Sequence, residues 1–337
     1  MESTRRTFVG GAAAIATRFA FAASHEPTGT QQMIPRRQLG NTDTQVSILG
    51  MGGFHLGAAQ DLETATKIVN VALDAGINFF DNAWEYHDGK SEEWLGQALG
   101  NRRKEAVVMT KVCTHGRKKE VALKMLEDSL RRLRTDHLDV WQIHKVVYEN
   151  DPERIFAPGG AAEALLEAKK QGKARLIGFT GHKDPSIHLK MLSKGFPFDT
   201  VQMPVNPLDG TFRSFEQHVL PEAQKQKLAI FGMKSMGGSG EIIKNGVLTP
   251  EEALRYAMSM PVAVTISGMN DLDVLKQNLG IAAGFVPMTQ NELSTLRSRC
   301  QPDASDGHCE LFKTSVMYDG DIGREQHGLP PAKELPA

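Results

Sequence analysis

The feature that most restricts this chain is an alternation of eight short β-rich runs with helical patterns, spaced at intervals of roughly 25–35 residues. The runs lie at 46–51, 77–80, 106–110, 138–143, 175–180, 200–203, 228–232 and 262–266. Strands separated by helices pair in parallel, and eight such units are the number that closes a (β/α)₈ TIM barrel, so the expected fold class is α/β of that type. The intervening helices carry a one-sided stripe: Ala65, Ile68, Val69, Ala72 and Leu73 share a face, as do Ala122, Met125, Leu126, Leu130 and Leu133,. Ser91 and Thr249 read as N-caps, the second followed by Pro250 at the first helical position. A doubly wound open sheet would show the same alternation, but its Gly-x-Gly-x-x-Gly fingerprint is missing, because Gly50-Met51-Gly52-Gly53 has the wrong spacing.

The ends of the chain fall outside this pattern. Arg5-Arg6-Thr7-Phe8 precedes a small, apolar stretch from Val9 to Ala23, interrupted by Thr17 and Arg18. That segment is similar to a twin-arginine export signal, cleaved near Ala20-Phe21-Ala22, and implies export of an already folded protein to the periplasm. Residues 36–48 form two short runs about Gly40-Asn41, a hairpin suited to plug the bottom of a barrel. Beyond Pro287 the periodicity fades. The expected organisation is a signal peptide and linker over 1–32, a barrel over 33–287 and an irregular tail over 288–337.

A net charge of −1 and the absence of any basic block disfavour a nucleic-acid partner,. After the N-terminal segment no apolar run is long enough to span a membrane. The three cysteines cannot make a disulfide scaffold, although Cys300 and Cys309 are close enough in sequence to pair in an oxidising compartment. No metal ligand set is assigned.

In a parallel barrel the reactive face lies at the C-terminal ends of the strands. Asp81 follows the second run and Tyr86 comes five residues later; Lys111 ends the third run and His144 the fourth. A tyrosine of ordinary pKa about 10 donates a proton poorly at neutral pH unless a cation favours its phenolate, which Lys111 can do. Asp81 in turn keeps a partly buried lysine ionised, and His144 can donate a hydrogen bond that orients a substrate oxygen.

These four residues, together with Leu39-Gly40, the stretch from Phe80 to Tyr86, Ser91-Glu92 and Gln277-Asn278-Leu279, resemble the aldo-keto reductase family. The resemblance implies NAD(P)H-dependent reduction of aldehydes or ketones, or the reverse alcohol oxidation, with Tyr86 as proton donor and Asp81, Lys111 and His144 in support. The expected partners are therefore a small carbonyl or alcohol substrate and, for the N-terminal segment, the twin-arginine export machinery. The dinucleotide is expected on Gly52, on Thr180, His182 and Gln202, on the loop Gly232, Met233, Lys234 and Ser235 after strand seven, and on Ser267, Gly268, Met269 and Asn278 around the start of the last helix,.

The chain departs from the family in ways that bear on the cofactor. Thr180-Gly181-His182 stands where Ser-Asn is usual, and Met233 where an aromatic residue often stacks on the nicotinamide. Asp271-Leu272-Asp273-Val274 offers acids where NADP-preferring members present a base, so NADP(H) follows from family habit while NAD(H) is left open. Trp84, His115, Arg117 and Lys145 are expected to line the substrate pocket, the last two favouring an anionic carbonyl compound. Two other functions fit the same strand ends: a Schiff-base lyase using Lys111, and a dinucleotide-binding regulatory barrel with little turnover.

Overall fold

The structure is a computed structural model that describes residues 33–335, so the export-signal reading lies outside the described residues. Eight parallel strands close into a barrel: β3 (Leu49–Gly52), β4 (Phe79–Asp81), β5 (Val107–Val112), β6 (Leu138–Ile143), β7 (Ala174–Thr180), β8 (Thr200–Pro204), β9 (Ala229–Met233) and β10 (Val264–Gly268). Closure comes from β10 pairing with β3, Ser267 beside Met51 and Gly268 beside Gly52. The expected barrel fold is therefore present, with each strand displaced by a few residues at most.

The first expected run, 46–51, divides into two elements. β1 (Arg36–Gln38) and β2 (Gln45–Ser47) form an antiparallel hairpin, and the chain passes into β3 at Ile48. Ile48 bonds both ways, its N–H to Pro35 and its carbonyl to the N–H of Thr265. Leu39 and Val46 of the hairpin pack with Phe79, Val107, Val140, Phe231 and Val264 in the barrel interior, which closes the end opposite the reactive face. Gly40 has a positive φ of 56°, and a Cβ there would stand 3.0 Å from Ala229 Cβ, so this turn requires glycine on both counts,.

Both apolar stripes face the barrel: helices Leu62–Asp74 and Lys119–Leu133 bury all ten residues named above. Thr249 makes the expected cap, a reciprocal capping box with Glu252,. Ser91 does not. It lies inside helix Lys90–Leu99, its hydroxyl donates to the Gly53 carbonyl at 2.6 Å, and the N-cap is Gly89 at φ 91°. The region expected to be irregular opens on helix Gln290–Ala304, which buries Leu293, Leu296, Cys300 and Ala304 at helical spacing. The rest of the tail packs on the barrel through Lys313, wholly buried between Asp209 at 2.7 Å and Glu310 at 2.8 Å. Cys300 and Cys309 are buried and unpaired. Among the described residues no helix is long and apolar enough to cross a membrane.

Candidate active site

The strand ends converge as the alternation requires. Asp81 closes β4, Lys111 lies near the end of β5, and His144 directly follows β6. Tyr86 begins a tight turn, Tyr86–Gly89, in which His87, Asp88 and Gly89 all take positive φ. Three successive left-handed residues are costly outside glycine, and the turn is held by His87, whose Nε2 meets the Phe54 carbonyl at 2.8 Å.

Lys111 Nζ donates to the Asp81 carboxylate and, at 2.6 Å, to the Asn82 carbonyl. It lies 5.1 Å from the centre of the Tyr86 ring, and the His144 ring meets Tyr86 edge-on with centroids 5.7 Å apart. All four residues border a cavity of about 560 Å³ that runs to Gln202, the loop after β9 and the start of the last barrel helix. A cleft of about 440 Å³ at the other end of the barrel, around Arg36, Asn78 and Asp139, contains none of them.

The electrostatics differ from expectation at Tyr86. Burial, reinforced by the Asp81 and Glu85 carboxylates, pushes the Tyr86 phenol well above its ordinary value, although the Lys111 ammonium, held by Asp81 and Asn82, lies nearby. Tyr86 is therefore a phenol that keeps its proton. Burial drives His144 down to about 3, so its imidazole is neutral. Its Nδ1 lies 3.0 Å from Glu85 Oε1, close enough for attraction but without hydrogen-bond alignment. A neutral imidazole keeps one N–H, so His144 retains a donor for a substrate oxygen without carrying charge,. Burial also opposes the charges on Asp81 and Lys111, and their mutual ion pair offsets it.

Of the residues expected to hold the dinucleotide, Gly52, Gln202, Met233, Lys234, Ser235, Ser267 and Gly268 line the cavity. Thr180 and Gln202 are register partners across β7 and β8, and Thr180 Oγ1 and Gln202 Oε1 are buried without a hydrogen-bond partner. Two orphaned polar atoms side by side fit a ligand carrying an amide, as nicotinamide does. Lys234 is held at φ 61°, and burial with the nearby Lys145 charge lowers it to about 8.

The other expected contacts, His182, Gly232, Met269 and Asn278, do not border this cavity. His182 is buried with Nδ1 against the Phe312 carbonyl at 2.9 Å, so it anchors the tail. Gly232 is enclosed inside β9, where a Cβ would stand 3.3 Å from Val205. Met269 is wholly buried in the core. Asn278 stands behind Ser267, donating to its hydroxyl at 3.2 Å.

The four residues expected to line a substrate pocket do not border this cavity. Arg117 is engaged by Asp151 at 3.0 Å and by the His144 and Lys145 carbonyls. Lys145 faces Glu85 at 3.3 Å. Trp84 lies under the Arg132 guanidinium, and His115 Nδ1 sits 3.1 Å from Cys113 Sγ. With both cations paired, the argument for an anionic substrate falls away.

Three residues had no place in the expected site. Glu85 gathers His144, Lys145 and the Cys113 thiol, and it is held well below the carboxylate range because, against burial, the Lys145 charge and the contacts with His144 and the thiol win. Phe54 and His55 line the cavity directly after β3, with the His55 ring over Gly268. The strand-end rule that singled out Asp81 would have found both. The tail also reaches the site: Tyr318 donates to Glu241 at 2.7 Å, and its ring lies 4.8 Å from Lys234 Nζ.

Residues 48–241 match the model of the aldo/keto reductase family. An uncharacterised oxidoreductase of Bacillus subtilis is 25% identical over 81% of this chain and 99% of its own length. The 6-dehydroglucose reductase of Novosphingobium aromaticivorans is 30% identical over 60% of this chain and 69% of its own. Among solved structures, an aldo-keto reductase of Bacillus halodurans in its holo form superimposes with a TM-score of 0.67 at 26% identity, covering 81% of this chain and 98% of that one.

Proposed function

The chain belongs to the aldo/keto reductase family and is an NAD(P)H-dependent oxidoreductase of carbonyl compounds, and from that premise we propose that Tyr86 transfers the proton, with Lys111, Asp81 and His144 arranged around it. The observation that carries this assignment is the buried Lys111–Asp81 pair set against the Tyr86 ring at the mouth of the cavity. The dinucleotide, when bound, supplies or takes the hydride. Thr180 and Gln202 would hold its amide, and the loop Met233 to Gly240, with Lys234, would hold its phosphates,.

A phenol whose proton is held tightly still gives it to an alkoxide, which is the stronger base. Tyr86 thus protonates the oxygen only as negative charge develops there. The Lys111 ammonium then stabilises the phenolate left behind. His144, neutral, can donate its ring N–H to the substrate oxygen and so fix its direction,. A lyase reading is disfavoured by the same geometry, since the Lys111 amine is hydrogen-bonded to Asp81 and Asn82. Purified protein should oxidise reduced dinucleotide with at least one class in a panel of aldehydes, ketones and quinones; tight dinucleotide binding without turnover on any of them would favour the regulatory reading.

The finer choice of nucleotide rests on the start of the last barrel helix. Asn270 and Val274 line the cavity there, and Asp271 accepts from the N–H groups of Asp273 and Val274. An acidic cap and an apolar side chain suit a free ribose hydroxyl better than a 2′-phosphate, so NAD(H) is the proposed cofactor. The Arg5-Arg6 segment supports export in folded form to the periplasm. A fusion of that segment to a reporter should lose export when both arginines become lysine; unchanged location would remove the proposal.

A further inference from the structure

Away from the barrel mouth, the last turn of helix Gln290–Ala304 and the turn that follows it gather a second set of donors. Asp303, His308 and Cys309 each present one ligand atom, and these atoms all lie within 4.8 Å of one another. We propose that this turn binds a divalent metal ion of the zinc type, held by one carboxylate, one imidazole and one thiolate, with water completing a tetrahedron.

The donor chemistry selects the ion. A sulfur and a nitrogen beside a single carboxylate suit zinc and its borderline neighbours, whereas magnesium and calcium call for oxygen alone. His308 is oriented for the task. Its Nδ1 meets Asp306 Oδ1 at 2.6 Å, and its Nε2 faces Asp303 Oδ1 at 4.0 Å. A proton shared with Asp306 leaves the lone pair on Nε2, directed toward Asp303, which is the arrangement by which a carboxylate fixes a metal-binding histidine. The 4.0 Å gap is too long for a hydrogen bond and slightly wider than the roughly 3.3–3.7 Å edge of a tetrahedron with bonds of about 2.0–2.3 Å.

Backbone geometry supports the same cluster. Gly307 takes φ 76°, and the His308 N–H returns to Asp306 Oδ1 at 3.0 Å. Cys309 is 1% exposed, and its sulfur has only a weak contact, 3.6 Å from Asn245 Nδ2. On binding, the Cys309 thiol gives its proton to water as the metal–sulfur bond forms, with no change of oxidation state.

The position gives the ion a structural consequence. Cys309 directly precedes Glu310, which pairs with Lys313, and stands three residues before Phe312; Lys313 reaches Asp209 and the Phe312 carbonyl meets His182, fastening the tail to the barrel. Farther on, Tyr318 meets the loop after β9. An ion at this turn would fasten the root of the segment that covers that loop.

Cobalt(II) is the probe, because thiolate ligation gives it a near-ultraviolet charge-transfer band. Reduced, chelator-treated protein should bind one equivalent of cobalt with that band, zinc should displace it, and zinc should raise the melting temperature. His308→Ala removes a side chain that is 51% exposed, so the variant keeps the fold; it and Asp303→Asn should weaken zinc uptake by about tenfold or more. Cys309→Ser should abolish the band, while Cys300→Ser retains it. No uptake, uptake insensitive to His308→Ala, or a band that survives Cys309→Ser would each overturn the proposal. None of these readouts depends on reductase activity.

Discussion

Lys111 Nζ stands 5.1 Å from the centre of the Tyr86 ring, fixed there by the Asp81 carboxylate and the Asn82 carbonyl. The cation thus favours the phenolate, but burial and the Asp81 and Glu85 carboxylates outweigh it, so the resting phenol keeps its proton. Chemistry and cofactor binding should therefore separate cleanly at Tyr86. Tyr86→Phe should lower kcat by about 10²–10⁴-fold, the usual range for a lost general acid, with dinucleotide affinity by fluorescence titration within a few-fold of wild type. A variant that loses both together would show that the ring serves mainly to shape the cavity.

Removal of the cation should act on stability as well as on rate. Lys111→Met leaves Asp81, 4% exposed, without its charged partner, and stranding one member of a buried pair costs about 3–5 kcal/mol. Chemical denaturation should show a loss of that order. The double change to Asp81→Asn with Lys111→Met should recover part of it while activity stays low, because the stranded charge is gone and the phenolate is still unsupported. Full stability in the single variant would mean that Asp81 simply takes up a proton at no cost.

The strand-end rule located Asp81, Lys111 and His144 from sequence because backbone topology alone decides where a β4, β5 or β6 end points. What could not be read was how far apart in sequence charges find their partners. Arg117 meets Asp151, 34 residues away, and Lys145 meets Glu85, 60 residues away. Both looked like free cations because pairing across βα loops leaves no local pattern. Thr180 and Gln202 were named from sequence and stand as register partners with orphaned polar atoms, whereas His182 was claimed by a tail carbonyl 130 residues downstream. The tail helix itself buries only four residues among many polar ones, so its stripe was too sparse to register as periodicity.

The proposed preference for NAD(H) rests on a single helix start. Val274 borders the cavity and neighbouring Asp271 caps the helix, so no cation in this segment meets a 2′-phosphate. Wild-type kcat/KM should be higher with NADH than with NADPH. Val274→Arg should shift the ratio toward NADPH by about tenfold or more, since a charged hydrogen bond to phosphate is worth roughly 1.5–3 kcal/mol. Equal use of both nucleotides by the wild type would show that Lys244, which also lines the cavity, supplies the missing charge.

The attachment of the tail should weaken as pH rises through the acid range. Burial, with the Asp209 carboxylate close by, pushes Glu310 up to about 7 against the opposing pull of Lys313, from an ordinary value of 4.5. Below pH 4.5 the carboxyl is protonated in folded and unfolded chains alike, and its contribution is constant. Between 4.5 and 7 the folded protein retains a proton that the unfolded chain has released, so stability falls as pH rises. Above 7 the fall is complete, with a ceiling of about 3 kcal/mol from the shift. Denaturation midpoints measured from pH 4 to pH 8 should decline over that window after allowance for the other carboxylates. Glu310→Gln should flatten the decline specifically. Its absolute stability is a poorer guide, because the amide can satisfy only one of Asn206 and Lys313, which meet the two carboxylate oxygens at 3.0 and 2.8 Å. An unchanged slope in Glu310→Gln would place the titrating proton elsewhere, and a slope of opposite sign would mean that the Lys313 charge outweighs burial at this carboxyl.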